Sequence, residues 1–323
     1  MAKITDYGVR NDLFMRLSQT PAAIMLNSLA RVIDSKLPAG SSERFPFLGS
    51  TPSMREWIRE RLIHNPAMFD FAIVNKKFEL TLNMPLDYVK NDKTGEVADF
   101  IASMADAIPL WVRELIAGLI VGGASSKCFD GQNFFSTSHA YGKSGTFSNS
   151  ITFACGISGQ PTPLEAAEAI NKALEAMKLL PDDQGRAIVN EAMTEVVITY
   201  CPGTANAPSI VSGINNKMLS TGTGTVDNPL LGQSAKITTI ATGLLNATFN
   251  GAYPSTKFSL WRPPGNGGKP ILYQENMEER QVAVVSDPNS EYVIKNDGWL
   301  VGEKVVGNVG YGMPQHAIEC TFT

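Results

Sequence analysis

Charge is the first thing this 323-residue sequence is short of. Asp, Glu, Lys and Arg make up 18% of it, against roughly 25% in typical soluble domains. That leaves a surface which copies of the same chain could cover, and it fits a low-charge monomer equally well. The net charge of −4, with no dense run of Lys or Arg, argues against a general nucleic-acid binder, which needs clustered cations to release counterions. Cysteine is also scarce. Cys128, Cys155, Cys201 and Cys320 lie far apart, no CxxC pair occurs and no secretory leader pattern opens the chain. They read as reduced thiols of a cytosolic chain rather than as a disulfide framework. No apolar run is long enough to span a membrane. Internal repeats and low-complexity tracts are missing too. What remains is a globular composition, 43% hydrophobic, long enough for two domains with ample core.

Motifs that carry chemistry are equally thin. His64, His139 and His316 are separated from one another and from the cysteines, and no HExxH or Cys/His ligand spacing occurs, so no metal site is expected. Ser136 and Ser138-His139 lack a GxSxG elbow and read as plain loop. Gly222-Thr223-Gly224 lacks the third glycine of a dinucleotide fingerprint, with Asp227 in its place. Gly267-Gly268-Lys269 fails as a phosphate loop, because Pro263 and Pro270 replace its first glycine and its metal-holding Ser or Thr. Asp182, Asp183 and Glu195 read as solvated surface. No catalytic residue, cofactor or metal is assigned, and the chain reads as something other than an enzyme. A hydrolase assembled from distant residues is the alternative from another class.

Residues 96–123 are what the rest is organised around. Val97, Phe100, Ile101, Met104, Ile108, Trp111, Val112, Leu115, Ile116 and Leu119 follow a helical period, and no strand period fits them. A helix of that length runs about 35 Å. Pro109 predicts a kink or break within it, and Gly122-Gly123 a left-handed stop. Before it, Thr20 and Pro21 open an expected helix with the stripe Ile24, Met25, Leu29, Val32 and Ile33. That segment is either an arm needing another surface or an ordinary helix on its own core, and residues 37–42 read as a linker. Ser53-Met54-Arg55-Glu56 fits a capping box, although a strand reading places Arg55, Trp57, Arg59 and Arg61 on one face. Residues 69–74 and 78–84 alternate as strands, with Asn75-Lys76-Lys77 between them, which predicts a hairpin.

After the long helix comes a loop, 136–150, and then a strong helix start at Thr162-Pro163-Leu164-Glu165. Leu164, Ala167, Ile170, Leu174 and Met177 form its apolar face up to Pro181. A short strand at 196–200, a helix at 209–219 and a glycine-rich loop at 220–232 follow. From residue 237 the chain is β-like, with strands expected at 257–261, 270–274, 282–285, 292–295, 299–306 and 317–322. The class is α+β.

Four blocks resemble the major head subunit of Mu-like phages and prophages, and through it the Hong Kong 97-type capsid fold. The first is Phe47-Leu48-Gly49 with Met54-Arg55-Glu56-Trp57, running to Ile63. The second is Asn75-Lys76-Lys77-Phe78-Glu79-Leu80-Thr81 with residues 87–92. The third is Phe129-Asp130-Gly131-Gln132-Asn133-Phe134-Phe135. The fourth comprises Leu260-Trp261, Lys269-Pro270-Ile271, Gln274, and Asn308-Val309-Gly310-Tyr311-Gly312-Met313-Pro314-Gln315 with Ala317. They lie in the family's order and extend over residues 47–317. One departure is His139-Ala140, where the family has His-Pro.

The resemblance implies an N-terminal arm (1–42), an extended hairpin loop region (43–93) and a peripheral domain with a spine helix (94–160). An axial domain (161–265) and β segments returning to the peripheral domain and closing the axial one (266–323) complete it. It implies no catalytic residue and no cofactor. The expected role is structural: pentamers and hexamers of this chain forming an icosahedral shell around double-stranded DNA bound without sequence preference. A separate scaffold, a maturation protease and a portal are the implied partners, with no membrane. The implied location is the virion capsid, after synthesis in the host bacterial cytoplasm. Ile24, Leu29, Val32, Trp57, Phe69, Phe71, Phe78 and Leu80 are the expected subunit-interface residues. A protein-compartment shell of the same fold, enclosing enzymes, is the alternative within the resemblance.

Overall fold

The structure, a computed structural model, describes residues 29–34, 38–48, 68–91, 96, 100, 103, 107–263 and 270–323. Its first half runs β1 (Ala30–Asp34), β2 (Ser42–Leu48), β3 (Met68–Val74), β4 (Lys76–Pro85), α1 (Leu86–Asn91), α2 (Ala107–Gly122) and β5 (Ser150–Phe153). Then follow α3 (Pro163–Lys178), β6 (Glu195–Tyr200), α4 (Ala207–Asn215), β7 (Met218–Ser220), β8 (Thr225–Asp227) and β9 (Lys236–Ala241). The last stretch holds β10 (Lys257–Trp261), β11 (Ile271–Glu275), β12 (Gln281–Val285), α5 (Glu291–Asn296), β13 (Gly298–Tyr311) and β14 (Ala317–Phe322).

Alternation along three central strands builds the first large sheet, ordered β5-β14-β10-β6-β9. Val196, Ile198, Tyr200, Phe258, Leu260, Ile318 and Cys320 point to one face, where they meet the buried stripe of α3. Val197, Trp261 and Ala317 point to the other, where they meet α2. Apolar residues on both faces are what a strand buried on both sides requires.

The predicted helix start at Thr162 is present. Thr162 Oγ1 accepts from Glu165 N, and Glu165 Oε2 accepts from Thr162 N at 2.7 Å. Ala167, Ile170, Leu174 and Met177 are fully buried. Because the box satisfies donors that the first helical turn leaves free, Thr162→Ala is expected to lower stability by about 1 kcal/mol. A shifted urea midpoint with an unchanged slope would show it.

The second sheet is built on the 14-residue β13. β4 pairs antiparallel along Gly298–Gly307, β12 along Leu300–Lys304 and β11 along Gly307–Tyr311, while β1 adds in parallel to β11. Between the two sheets runs α2, with Val112, Ile116, Ala117 and Ile120 buried. Leu119 O accepts from the Tyr311 hydroxyl, and Gly118 O from Asn250 Nδ2, both at 2.7 Å. Among the described residues no helix is long and apolar enough to cross a membrane.

Five expectations need correction. Residues 30–34 form a parallel strand rather than a continuation of a helix through Val32 and Ile33; only Leu29 among the described arm residues is helical. Pairing with β11 supplies backbone partners that helical spacing alone does not foresee. The strands at 69–74 and 78–84 exist but do not pair with each other: β3 pairs with β2, and β4 with β13. One residue, Asn75, separates β3 from β4, too short a link for a hairpin. Residues 292–295 lie in α5, nucleated by Ser290, whose hydroxyl accepts from Val293 N, and ended by Asp297 in the left-handed region at φ 44°.

The fourth correction concerns the end of α2. Gly122 and Gly123 do not take positive φ. Gly123 is required for close approach instead, since a Cβ there would lie 2.5 Å from the Phe135 ring. Lastly, Asp182 and Asp183 are buried, not solvated. Asp182 accepts from Gln184 N, Arg186 N and the Arg186 guanidinium, bonds that hold its carboxyl below the ordinary range against the opposing effect of burial. The expected kink at Pro109 involves neighbours outside the described residues; Pro109 itself lies in the first turn of the described helix.

Candidate assembly surface

Along β4 burial alternates, with Phe78, Leu80, Leu82 and Met84 turned inward and Lys77, Glu79, Thr81 and Asn83 exposed. Register places Phe78 opposite Val305 and Leu80 opposite Glu303. Across from them lies the start of α2, where Trp111 packs against Phe78 with ring centroids 4.5 Å apart and the planes tilted by 54°. These residues with Ala107 and Glu79 line an open, mostly apolar cavity of 210 Å³.

In and beneath its lining are polar groups that lack hydrogen-bond partners. Trp111 Nε1 and both Glu303 carboxylate oxygens are buried and unbonded, as is Arg280 Nε. Arg280 approaches Glu275 at 3.7 Å and Glu303 at 4.0 Å, too far for good hydrogen bonds. Burial pushes the Glu303 carboxyl up to about 7, with Arg280 opposing and Glu275 adding to the rise. The groove thus combines an aromatic wall, an orphan N–H and an under-compensated carboxyl.

Beside it stands the two-stranded pair β2–β3. Its base is tied to the second sheet through Asn75: Gln274 Nε2 donates to Asn75 Oδ1 at 2.6 Å and to Ile73 O at 3.0 Å, and Asn308 Nδ2 donates to Val74 O at 2.8 Å. Gly40 N and Asn75 N exchange bonds with Asn75 O and Ser41 O. Single-residue reasoning missed this clamp, although Asn75, Gln274 and Asn308 all lie within the resemblance blocks.

The expected interface residues fall on several different elements. Ile24 and Trp57 lie outside the described residues, as does the capping box at residue 53. Leu29 is completely buried in the chain's own core. Val32 belongs to β1, opposite Tyr273; Phe69 and Phe71 belong to β3, opposite Phe47 and Phe45. Phe78 and Leu80 line the groove.

The serine–histidine arrangement weighed for a hydrolase does not form. Ser136 and Ser138 bond to each other, while His139 is fully buried and turned elsewhere. Its Nδ1 lies 2.6 Å from Asp130 Oδ2, and the Cys128 thiol donates to Asp130 Oδ1 at 2.9 Å. The thiol sits beside a carboxylate whose negative charge disfavours the thiolate, so it is not activated as a nucleophile. Burial, with Asp130 adding, pushes it up to about 12. This Cys-Asp-His group was invisible to ligand-spacing rules because its members are two and nine residues apart on an irregular loop.

A family model described as the Mu-like prophage major head subunit gpT matches residues 13–161. The major capsid protein of Escherichia phage Mu is 31% identical over 130 residues, 40% of this chain and 41% of that protein. The aligned part thus spans well under half of that relative. The procapsid of bacteriophage JBD30 superposes with a TM-score of 0.52 at 20% identity, covering 99% of this chain and 77% of that one. The capsid of cyanophage P-SCSP1u gives a TM-score of 0.58 at 14% identity, covering 93% and 88%. The chain has the Hong Kong 97-type capsid fold. The Mu-like sequence match covers the β2–β3 pair, the spine helix α2 and the loop that carries Cys128, Asp130 and His139. Beyond residue 161 the capsid fold is supported by structural likeness alone.

Proposed function

We propose that the chain is the major head subunit of a Mu-like phage or prophage, with a structural rather than an enzymatic role. Copies of it close into pentamers and hexamers of an icosahedral shell around double-stranded DNA. The observation that carries this reading is a capsid fold running through nearly the whole chain, joined to Mu-like head-subunit sequence in its first half. Net acidity agrees with it, since a basic lining would hold the packaged DNA by counterion release. A separate scaffold, a protease and a portal belong to the same proposal, as does a virion location after synthesis in the host cytoplasm.

The β2–β3 pair is the proposed inter-subunit element, because an isolated two-stranded ribbon is marginal in water and gains from a covering neighbour. Sizing and negative-stain imaging of the purified protein, alone and with a co-expressed scaffold, test the proposal. Capsomers or closed shells are expected, and a monomer under both conditions overturns it. Nucleic acid inside native particles supports a head; a protein cargo indicates a compartment shell instead.

Phe78 is the proposed contact whose loss separates assembly from folding. It is half-buried against Trp111, so Phe78→Ala removes only part of a full aromatic burial from the subunit. Particle yield by sedimentation is expected to fall more steeply than the melting temperature of the unassembled subunit. Normal particles from a strongly destabilised subunit would assign Phe78 to the internal core alone.

A further inference from the structure

The loop between α2 and β5 brings a sulfur, a carboxylate and an imidazole together, and no role in the proposed shell uses them. The donor atoms of Cys128, Asp130 and His139 all lie within 4.8 Å of one another. We propose that these three side chains form a binding site for one thiophilic divalent cation of the zinc type. Thiolate, imidazole and carboxylate are the donors this class of ion takes in four-coordinate sites.

The histidine is already oriented as a ligand. Around its Nε2 stand two acceptors at 3.2 Å, Phe134 O and Asn149 Oδ1. The Asn149 amide has its orientation set, because its Nδ2 donates to Phe134 O and Pro314 O while its Oδ1 accepts from Ser136 N. Nε2 therefore carries hydrogen, and Nδ1 is the nitrogen aimed at Asp130. A backbone carbonyl fixing the far nitrogen is the usual outer support of a metal-bound histidine.

A divalent cation bound there would meet two groups able to carry negative charge, the Cys128 sulfur and the Asp130 carboxylate, so the buried ion is compensated once the thiol gives up its proton.

The backbone holds the ligands in place without the ion. Gly131, at φ 77°, turns the chain between Cys128 and Gln132, whose N–H and carbonyl are bonded at 2.8 Å, and Gln132 N donates to Asp130 Oδ1. His139 is fixed by its paired backbone bonds to Phe147. Cys128 also lines a cleft of 430 Å³ shared with Lys127, Phe129 and Asp70, which gives an ion and a water ligand a way in. Bound there, the cation would fasten this loop to the core beneath the spine helix.

The test uses the full chain, treated with a chelator and kept reduced with a phosphine. Titration with Co²⁺ is expected to give a thiolate-to-cobalt charge-transfer band saturating at one ion per chain, and Zn²⁺ is expected to displace the cobalt. Cys128→Ser should abolish the band and weaken Zn²⁺ binding at least about tenfold, whereas Cys155→Ser, at the other partly exposed cysteine, should leave both unchanged. No band from the folded wild-type chain overturns the proposal, and so does a band that survives Cys128→Ser. Should Cys128→Ser fail to fold, Asp130→Asn, which keeps the thiol, must lower Zn²⁺ affinity in a folded chain; unchanged affinity there overturns the site.

Discussion

Trp261→Ala is expected to lower subunit stability by about 3–5 kcal/mol, the range for deleting a fully buried aromatic. Trp261 is completely buried at the end of β10, on the face of the first sheet that meets α2. Its ring stacks on Phe134 at 5.8 Å with 11° between planes, and meets Phe135 edge-on at 5.6 Å. The indole N–H donates to Thr199 Oγ1 at 2.9 Å and to Ser259 Oγ at 3.0 Å. Those hydroxyls also bond each other at 2.7 Å, so truncation leaves them satisfied and the loss is mainly of volume. Trp261→Phe, which keeps most of the ring, should therefore cost much less, about 1–2 kcal/mol. Urea unfolding of the three unassembled chains decides the point. Equal losses for Phe and Ala would show that the hydrogen bonds, not the packing, hold the two layers together.

The second large effect is on pH dependence. In the folded chain the Glu303 carboxyl titrates near 7 because burial outweighs the nearby Arg280. Between the ordinary 4.5 and about 7, the folded state keeps a proton that the unfolded state has released. Its contribution to stability is complete below the unfolded value and is lost as pH rises through the folded one. Wild type should thus lose on the order of 2 kcal/mol between pH 5 and pH 8 from this group. Glu303→Gln cannot ionise and should remove that loss, making the variant the more stable chain at pH 8. Parallel stability curves for the two chains across this range would count against it. Arg280 and Glu275 are the charged groups that act on the carboxyl, and neither changes in the comparison.

Much of the fold was legible wherever burial leaves a local pattern. β10 and β14 could be bounded by residue because short apolar runs are cut off by Pro, Gly and polar turns. α3 could be placed because its cap chemistry lies within four consecutive residues. Pairing was not legible. Phe69–Val74 and Phe78–Met84 look like neighbours in sequence, but their partners are Ser42–Leu48 and a strand more than 200 residues away. Long-range burial of polar groups escaped for the same reason. Asp182 reads as surface until Arg186 and two backbone N–H groups fold around it. His139 reads as loop until the Gly131 turn and the bridge to Phe147 bring it onto Asp130. Of the candidate surface, the alternating faces could be seen in sequence, whereas the orphan groups of the groove arise only when β4, β13 and α2 meet.

The parallel addition of β1 to β11 has a consequence for solution behaviour. Without it, β11 would present a row of unsatisfied N–H and C=O groups at the side of the second sheet, open to strand-by-strand polymerisation. Such pairing has no rotational closure and grows as a fibre, in competition with any closed assembly. With β1 in place, the edge passes to the segment Ala30–Asp34, a strand of only five residues, and so short an edge offers few backbone groups to an incoming strand. A subunit that assembles as proposed gains from keeping that edge short.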